Sequence, residues 1–241
     1  MEKRPTVMDA TFSSEMTVEL VKHSASDEDI AFAARVSTQG ERSKETSTEE
    51  LGGLINFLMR ERHGSPFDHS TMTFYVKAPI FVWREHMRHR IASYNEESGR
   101  YKKLEPHFYV PAKDRKLVQV GKTGAYTFEY GDTFQYANVL GGYLKACKAS
   151  YSSYLGMLEA GIAKEVARGV LPVNIYSSAY VTMNARALMN FLSLRTTSED
   201  SHFPSYPQRE IEMVGEQYEE IFKKLMPLTH EAFIKNGRVA P

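Results

Sequence analysis

The sequence has 241 residues, which is enough for one large domain or two small ones. Its 30 basic and 30 acidic residues balance, and this counts against a protein that mainly coats nucleic acid or an anionic membrane. The single cysteine, Cys147, excludes a disulfide framework within one chain and is typical of a reducing, cytoplasmic compartment. No apolar run approaches the ~18 residues of a membrane helix, and the polar N-terminus does not resemble a secretory signal.

The first half of the chain predicts strands and helices in alternation, behind an N-terminal arm at residues 1–14. Serine caps followed by acidic residues open two helices, at Ser26 and at Ser47. Pro79 suits the first turn of a third helix, which we expect to extend to Arg90. In chain order we predict a strand over 17–23, helices over 26–36 and 47–62, a loop over 63–66, a strand over 71–77, a helix over 80–90 and a loop over 92–101.

The second half predicts mainly helices. In chain order we predict a short strand over 106–111, a polar loop over 112–132, helices over 135–160 and 162–170, an ambiguous segment over 173–182, a helix over 184–194, a loop over 196–206 and a helix over 207–225. Because the strands are scattered and lack a βαβ rhythm, we predict an α+β fold in a single domain over residues 1–241. A central mixed or antiparallel sheet, packed by the long helices, is expected.

A concentration of arginines is the first chemical signal. The sequence contains neither a G-x-G-x-x-G fingerprint after a strand nor a G-x-x-x-x-G-K-[ST] loop, so the two commonest backbone cradles for phosphate are missing. Side chains must then hold any phosphate, and arginine makes two charge-assisted hydrogen bonds to it. Residues 84–100 contain four arginines among serine, asparagine and carboxylate side chains. The alternative is a solvated face on which they pair with Glu85, Glu96 and Glu97.

A second pair of arginines lies in the apolar segment 184–195. A helix that is apolar in nearly every direction is typical of a protein interior. Helical spacing pairs Arg186 with Asn190 and places Asn184 on one face with Arg195. A buried guanidinium needs a partner, either a protein carboxylate or an anionic ligand, and this concentration of polar groups favours a ligand.

The histidines and the cysteine are weaker candidates for chemistry. His86 and His89 match no zinc motif, and the neighbouring arginines repel a cation, so we expect no metal. No cationic group accompanies Cys147 on its predicted helix, which favours a packed, unreactive thiol. Two other hypotheses stay open: a metal-dependent nucleotide hydrolase that uses the histidines, and a nucleic-acid-binding module over Arg84–Lys103.

Ordered motifs over most of the chain resemble one family. Arg88-His89-Arg90 is followed after seven residues by Ser98, as in the RHR-x7-S signature of the flavin-dependent thymidylate synthases. Further family-like blocks occur in family order at residues 34–37, 63–69, 73–82, 93–101, 165–172 and 184–190. The resemblance implies an α+β homotetramer whose subunits share active sites. It also implies that NADPH reduces FAD, that methylenetetrahydrofolate supplies one carbon, and that dUMP becomes dTMP. The implied partners are thus the small molecules dUMP and folate, without nucleic acid or membrane.

The resemblance also implies roles for single residues. The implied FAD contacts are Ser65, Arg88, His89, Arg90, Glu96, Asn184, Arg186 and Asn190. The implied dUMP contacts, chiefly at its phosphate, are Glu85, Arg88, Glu96, Glu97, Ser98, Gly99, Arg100, Arg168 and Arg195. Arg195 is also the implied catalytic residue, because a guanidinium against the pyrimidine stabilises negative charge at N3 without a cysteine nucleophile. Gly64 departs from members with a larger or acidic residue there, and the loops 112–132 and 196–206 match no family block.

Overall fold

The computed structural model describes residues 9–39, 47–122 and 125–241. The described residues form two compact units, which are treated separately below. Of the described residues, the first unit comprises 9–15, 78–81, 97–122 and 125–177. The second unit comprises 16–39, 47–77, 82–96 and 178–241. The α+β prediction is confirmed, since helices and strands occur side by side in the chain. The single domain over residues 1–241 stays a prediction.

The strands are β1 (Thr11–Ser13), β2 (Thr17–Ser24), β3 (Thr71–Pro79), β4 (Ser93–Glu96), β5 (His107–Tyr109), β6 (Val118–Lys122), β7 (Ala125–Glu129) and β8 (Tyr176–Asn184). The α-helices are α1 (Asp27–Gln39), α2 (Thr48–Arg60), α3 (Ile80–His86), α4 (Thr133–Glu159), α5 (Lys164–Ala167), α6 (Ala185–Arg195), α7 (Arg209–Leu225) and α8 (Pro227–Lys235). Two 3₁₀ helices cover Ser65–His69 and Arg168–Val170. Among the described residues, no helix combines the length and apolar character of a membrane span.

A four-stranded sheet in the order β2-β3-β8-β4 organises the second unit. Strand β2 is antiparallel to β3, and β4 is antiparallel to β8 from Ser93 opposite Thr182 to Glu96 opposite Ala179. Alternate residues of β3 and β8 are buried, as a half-buried sheet requires. Helix α7 packs on this sheet, with the rings of Phe74 and Tyr218 4.6 Å apart. The predicted sheet packed by a long amphipathic helix is therefore present in this unit.

The first unit is built around the long helix α4. Asp132 and Gln135 form a capping box at its start. Buried side chains of α4, including Tyr151 and Tyr154, pack with Phe108 and Ile175. Strands β1 and β5 pair in parallel, and β6 and β7 pair as an antiparallel hairpin.

Several predicted elements are confirmed and others are wrong. The strand at β2, the capped helices α1 and α2, the short strand β5 and the long helices α4 and α7 agree with the sequence patterns. The 1–14 segment contains β1, the loop 63–66 overlaps a 3₁₀ helix, and the helix over 162–170 shortens to α5 and a 3₁₀ turn. Helix α8, which begins at Pro227, was missed, and the ambiguous 173–182 segment belongs mostly to β8.

Two loop predictions are wrong because strand pairing is a tertiary property. The segment 92–101 contains β4, whose polar residues pair with β8, and the segment 112–132 contains the hairpin β6–β7. The predicted helix over 80–90 ends at His86. There the backbone N–H groups of Arg88 and His89 donate to the carbonyls of Glu85 and His86, three residues back, so the chain turns.

A buried ion cluster links α7 to α8 and the residues after α8. The guanidinium of Arg238, which is 4% exposed, lies 2.6 Å from Glu219 Oε1 and donates to the Thr196 hydroxyl at 2.6 Å. His230 Nε2 lies 2.9 Å from the same carboxylate. Burial raises the pKa of Glu219, but the hydrogen bonds from Arg238 and His230 outweigh burial and lower this pKa to about 2.

We expect Glu219→Gln to reduce the free energy of unfolding by about 3 kcal/mol at neutral pH, because it leaves Arg238 buried without a counter-charge. The Glu219 pKa is depressed in the folded state, so its contribution is present above an unfolded pKa near 4.5 and fades as pH falls toward 2. Urea unfolding at pH 7 and below pH 4 measures both effects.

The matched control is Glu216→Gln on the same helix, whose partner Arg209 lies in an exposed pair. This control should change stability by less than about 0.5 kcal/mol. Equal losses for the two variants at pH 7 would show that the buried cluster does not stabilise the fold.

Candidate functional site

Helix α6 carries two of the predicted site arginines. Asn184 caps it, because its side-chain oxygen accepts from the Ala187 N–H at 2.8 Å. The helix buries most of its apolar residues, as predicted, although Leu194 is exposed. Asn184 is the cap and so precedes the first residue of the helix. Asn190 meets Arg186 at the predicted spacing of four residues, but it donates to the backbone oxygen of Arg186, at 3.2 Å.

The guanidinium of Arg195 lies between an acid and an imidazole. Its Nη1 is 2.8 Å from Glu85 Oε2, and its Nε donates to His89 Nε2 at 3.1 Å. A protein carboxylate is thus one partner of this arginine, as the alternative interpretation of the sequence allowed. The structure also brings together Glu85, His89 and Arg195, three residues predicted to belong to the site.

His89 is neutral in this arrangement. Its Nε2 accepts from Arg195, so any proton on the neutral ring is on Nδ1. Burial, and then the nearby charge of Arg195, lowers the pKa of His89 from 6.5 to about 4. The charge of the group is therefore one guanidinium balanced by one carboxylate at neutral pH.

A cavity of about 650 Å³ opens beside these residues in the second unit. Its lining includes the charged residues Glu85, Arg195 and Arg238 and the exposed aromatic side chains of Phe203 and Tyr206. Its full lining is Arg62, Glu85, Asn190, Ser193, Leu194, Arg195, Phe203, Pro204, Ser205, Tyr206, Pro207, Gln208, Arg238, Val239 and Ala240. Apolar and aromatic surface with a few convergent charges suits a flat anionic ligand.

The lining at 203–208 was not among the predicted site residues. The sequence signal available for it was a pair of aromatic residues, Phe203 and Tyr206, in a short proline-containing loop. Arg238 was missed because it lies far along the chain from both arginine clusters.

A second group of predicted residues gathers around Asp68. Asn184 Nδ2 donates to Asp68 Oδ1 at 3.0 Å, and Arg186 Nη1 lies 3.6 Å from Asp68 Oδ2. The Nε of Arg186 donates to the backbone oxygen of Pro241 at 2.5 Å. Asp68 was not predicted as a site residue, although its block resembled the family. Its carboxylate orients the two side chains that the resemblance assigns to FAD.

A third group lies in the first unit. The Ser98 hydroxyl accepts from the Arg100 N–H at 3.2 Å, and the Arg100 guanidinium lies 2.8 Å from Glu165. Gly99 is buried, and a methyl group there would lie 3.2 Å from Cδ of Arg168. The structure therefore brings Arg168 next to the Ser98–Arg100 segment, and Gly99 permits this approach.

The remaining predicted residues occupy turns and element ends. Arg88 and Arg90 are exposed on the turn after α3, Glu96 is exposed at the end of β4, and Ser65 is exposed at the start of a 3₁₀ helix. Glu97 forms an ion pair with Lys102, at 2.7 Å.

The thiol of Cys147 is packed and hydrogen-bonded, as the sequence predicted. Cys147 is buried, and Asn174 donates to its sulfur at 3.2 Å. Burial raises the pKa of this thiol, and the hydrogen bond from Asn174 offsets the effect only in part. Within residues 9–39, 47–122 and 125–241, no group of three or more metal-ligating side chains occurs.

These features define a protein with a cavity whose wall combines charged, apolar and aromatic side chains. Residues 19–228 match the family model described as thymidylate synthase complementing protein. A flavin-dependent thymidylate synthase from Tropheryma whipplei (strain TW08/27) is 61% identical over 238 residues, which are 98% of this chain and 99% of that protein. One from Streptomyces avermitilis is 58% identical over 236 residues, with 96% of each chain covered.

A solved structure agrees with these relatives. The UMP/dUMP methylase PolB from Streptomyces cacaoi, bound with 5-Br dUMP, superposes with a TM-score of 0.91 at 52% identity, over 96% of this chain and 100% of that chain. The chain therefore belongs to the thymidylate synthase complementing protein family, that of the flavin-dependent thymidylate synthases. The family resemblance seen in the sequence is confirmed, and the roles of single residues stay predictions.

We expect Gly64→Ala to displace the Arg186 guanidinium, because the new methyl carbon would lie 2.5 Å from Cζ and 2.6 Å from Nε of Arg186. Because the Arg186 side chain is 41% exposed and can move aside, loss of its hydrogen bond to Pro241 should reduce stability by about 0.5–1 kcal/mol. Urea unfolding measures the loss, and a crystal structure of the variant shows the arginine.

Gly53→Ala on α2 is the matched control, since a methyl group there would meet nothing within 4 Å. It should be neutral or stabilising by up to about 1 kcal/mol, because alanine favours helix. If Gly64→Ala behaved in the same way, Gly64 would not be needed for the position of Arg186.

Proposed function

We propose that this protein is a flavin-dependent thymidylate synthase that converts dUMP to dTMP without a cysteine nucleophile. Methylenetetrahydrofolate is the proposed one-carbon donor, and NADPH is the proposed reductant through FAD. The observation that carries the proposal is the Arg195 guanidinium, held by Glu85 and His89 at the wall of the cavity. The full-length similarity to proteins of that name supports the reaction.

Arg195 is the proposed catalytic residue. Reaction at the pyrimidine builds negative charge on N3 and the adjoining carbonyl oxygens, and a guanidinium in a partly buried wall stabilises that charge. Glu85 and His89 already hold the guanidinium in one orientation, so little reorganisation is needed when dUMP binds. The contact is expected to contribute about 1.5–3 kcal/mol, or roughly 10- to 150-fold in rate.

The proposed dUMP phosphate site combines Ser98, Gly99, Arg100 and Arg168. Arg100 forms an exposed ion pair with Glu165, and such pairs contribute little to stability. A phosphate can therefore replace Glu165 as the partner of Arg100 at small energetic loss. Glu85, Arg88, Glu96, Glu97 and Arg195 complete the proposed dUMP contacts.

The side chains present suit FAD because they supply what a glycine cradle would otherwise provide. Exposed guanidinium groups of Arg88 and Arg90 are available for a pyrophosphate, and the Asp68 group presents Asn184 and Arg186 in fixed orientations. Ser65, His89, Glu96 and Asn190 complete the proposed contacts. Bound FAD supplies the electrons for the reductive step.

We also propose a cytoplasmic homotetramer with active sites shared between subunits, in which residues 1–241 act as one domain. Helix α4 supports assembly, because Gly141, Gly142 and Gly156 lie on its exposed side with nothing within 4 Å of an added methyl group. Small residues let two helices approach closely. The family match runs through both units of the chain, which supports one functional domain. The free thiol of Cys147 is typical of a reducing compartment.

The test is dTMP formation by purified protein with dUMP, FAD, NADPH and methylenetetrahydrofolate, with each component omitted in turn. We expect product only when dUMP, NADPH, methylenetetrahydrofolate and FAD, whether added or already bound, are all present, and we expect a flavin spectrum that bleaches when NADPH is added. Absence of dTMP from the complete mixture, with protein that is folded and carries FAD, would contradict the proposal.

UMP is a second candidate substrate. The neighbouring methylase bound with 5-Br UMP superposes with a TM-score of 0.90 at 51% identity. The same assay with UMP in place of dUMP decides between one substrate and two, through the ratio of the two kcat/KM values.

Arg195→Ala should keep FAD and lose most turnover, by roughly 10- to 150-fold in kcat, because the charge on the pyrimidine is no longer stabilised. Steady-state kinetics and flavin absorbance measure the two properties. Arg209→Ala, at an exposed arginine of α7, is the control and should keep full turnover. Full turnover by Arg195→Ala would refute the catalytic role.

Cys147→Ala should leave kcat within about twofold, since a buried thiol with a raised pKa supplies little thiolate. Steady-state kinetics and a thermal unfolding curve check the prediction together. A variant that folds normally but makes no dTMP would point to a thiol mechanism.

A further inference from the structure

The turn that carries Arg88, His89 and Arg90 is held from one side by a tyrosine. The hydroxyl of Tyr94 lies 2.9 Å from the carbonyl oxygen of His89 and 3.1 Å from that of His86. The His86 carbonyl is the last of α3 and also accepts from the His89 N–H, whereas the His89 carbonyl lies in the turn that follows the helix. Tyr94 is in β4, which is paired with β8, so the donor belongs to the sheet of the second unit.

The Tyr94 hydroxyl is itself fixed by a buried histidine. His86 Nδ1 lies 3.3 Å from the Tyr94 oxygen, and His86 Nε2 lies 2.9 Å from the Tyr218 oxygen. Burial, and then the neighbouring His89, lowers the pKa of His86 to about 3, so its ring has one donor and one acceptor nitrogen.

The direction of these hydrogen bonds follows from the donors available. Tyr94 donates its one proton to the backbone carbonyls, so its oxygen accepts from His86 Nδ1–H. His86 Nε2 then accepts from the Tyr218 hydroxyl on α7. A directed sequence of hydrogen bonds therefore runs from Tyr218 through His86 and Tyr94 to the backbone of His89.

The same turn determines where the His89 ring lies. This ring packs against Phe191 with centroids 4.6 Å apart, and Phe191 also packs against His86 at 4.8 Å. On its other side the His89 ring accepts from Nε of Arg195 at 3.1 Å. A shift of the His89 backbone therefore moves one of the two groups that orient the Arg195 guanidinium.

We propose that Tyr94, fixed by His86 and Tyr218, is a positioning residue for Arg195 and acts through the backbone and ring of His89. The inference rests on the proposed function in one respect, namely that Arg195 is the catalytic arginine. A tyrosine that only stabilised the fold would affect unfolding but would not depend on Arg195 for its effect on turnover.

The first test is Tyr94→Phe, which removes the hydroxyl and keeps the ring. We expect kcat to fall roughly 5- to 10-fold while KM for dUMP changes by less than about twofold. Tyr180→Phe is the matched control, because Tyr180 lies on the adjacent strand β8 and is 52% exposed. Equal kcat values for the two variants would overturn the inference.

A double-variant cycle separates positioning from general damage. In the Arg195→Ala background, Tyr94→Phe should cause almost no further loss of kcat, because the group that Tyr94 positions has been removed. Losses that multiply in the double variant would show that Tyr94 acts independently of Arg195 and would overturn the inference.

An independent readout is the titration of His89, followed by NMR with carbon-13-labelled histidine and assigned with His89→Gln. The wild type and Tyr180→Phe should titrate at about 4, and Tyr94→Phe should titrate closer to 6.5, since a loosened turn exposes the ring and moves it from Arg195. An unchanged His89 titration in Tyr94→Phe overturns the inference whatever the activity. If the wild type made no dTMP, the proposed function would fail while this titration still tested the placement of His89.

Discussion

The contact between Arg195 and its two neighbours, Glu85 and His89, is the interaction on which the proposed site depends. A free arginine side chain on the last turn of a helix would sample many rotamers, and its charge would be spread over many positions. Glu85 restrains one guanidinium nitrogen by charge, and His89 restrains another through a neutral acceptor nitrogen. Because His89 stays uncharged, it accepts a hydrogen bond from the guanidinium and adds no positive charge of its own to this contact.

The rest of the second unit maintains this contact. Helix α6 is anchored at its start by the Asn184 cap and along its length by buried apolar side chains, so the position of Arg195 at its end is well defined. The next residue, Thr196, is bonded to the buried Arg238, which Glu219 neutralises. A buried charge destabilises the fold unless a counter-charge accompanies it, and Glu219 supplies that counter-charge to Arg238. Arg238 in turn donates to Thr196 and so fixes the chain beside the cavity.

The sequence predicted the family and the local elements better than the tertiary contacts. Capping and helical periodicity located α2, α4 and α7, because those signals are local. The motif around Arg88 and Ser98 identified the family, since ordered blocks carry information that single residues lack. In contrast, the residues of β4 are polar, and they form a strand because they pair with β8. The end of α3 depends on the backbone hydrogen bonds of the turn that follows it. Asp68 and Arg238 were missed because their partners are distant in the chain.

The most direct test of the central claim is a crystal structure of the protein with dUMP and FAD bound. We expect a guanidinium nitrogen of Arg195 to lie about 3 Å from N3 or a carbonyl oxygen of the pyrimidine, with Glu85 or His89 still in contact with the same side chain. A pyrimidine bound well away from Arg195, with another group at N3, would contradict it.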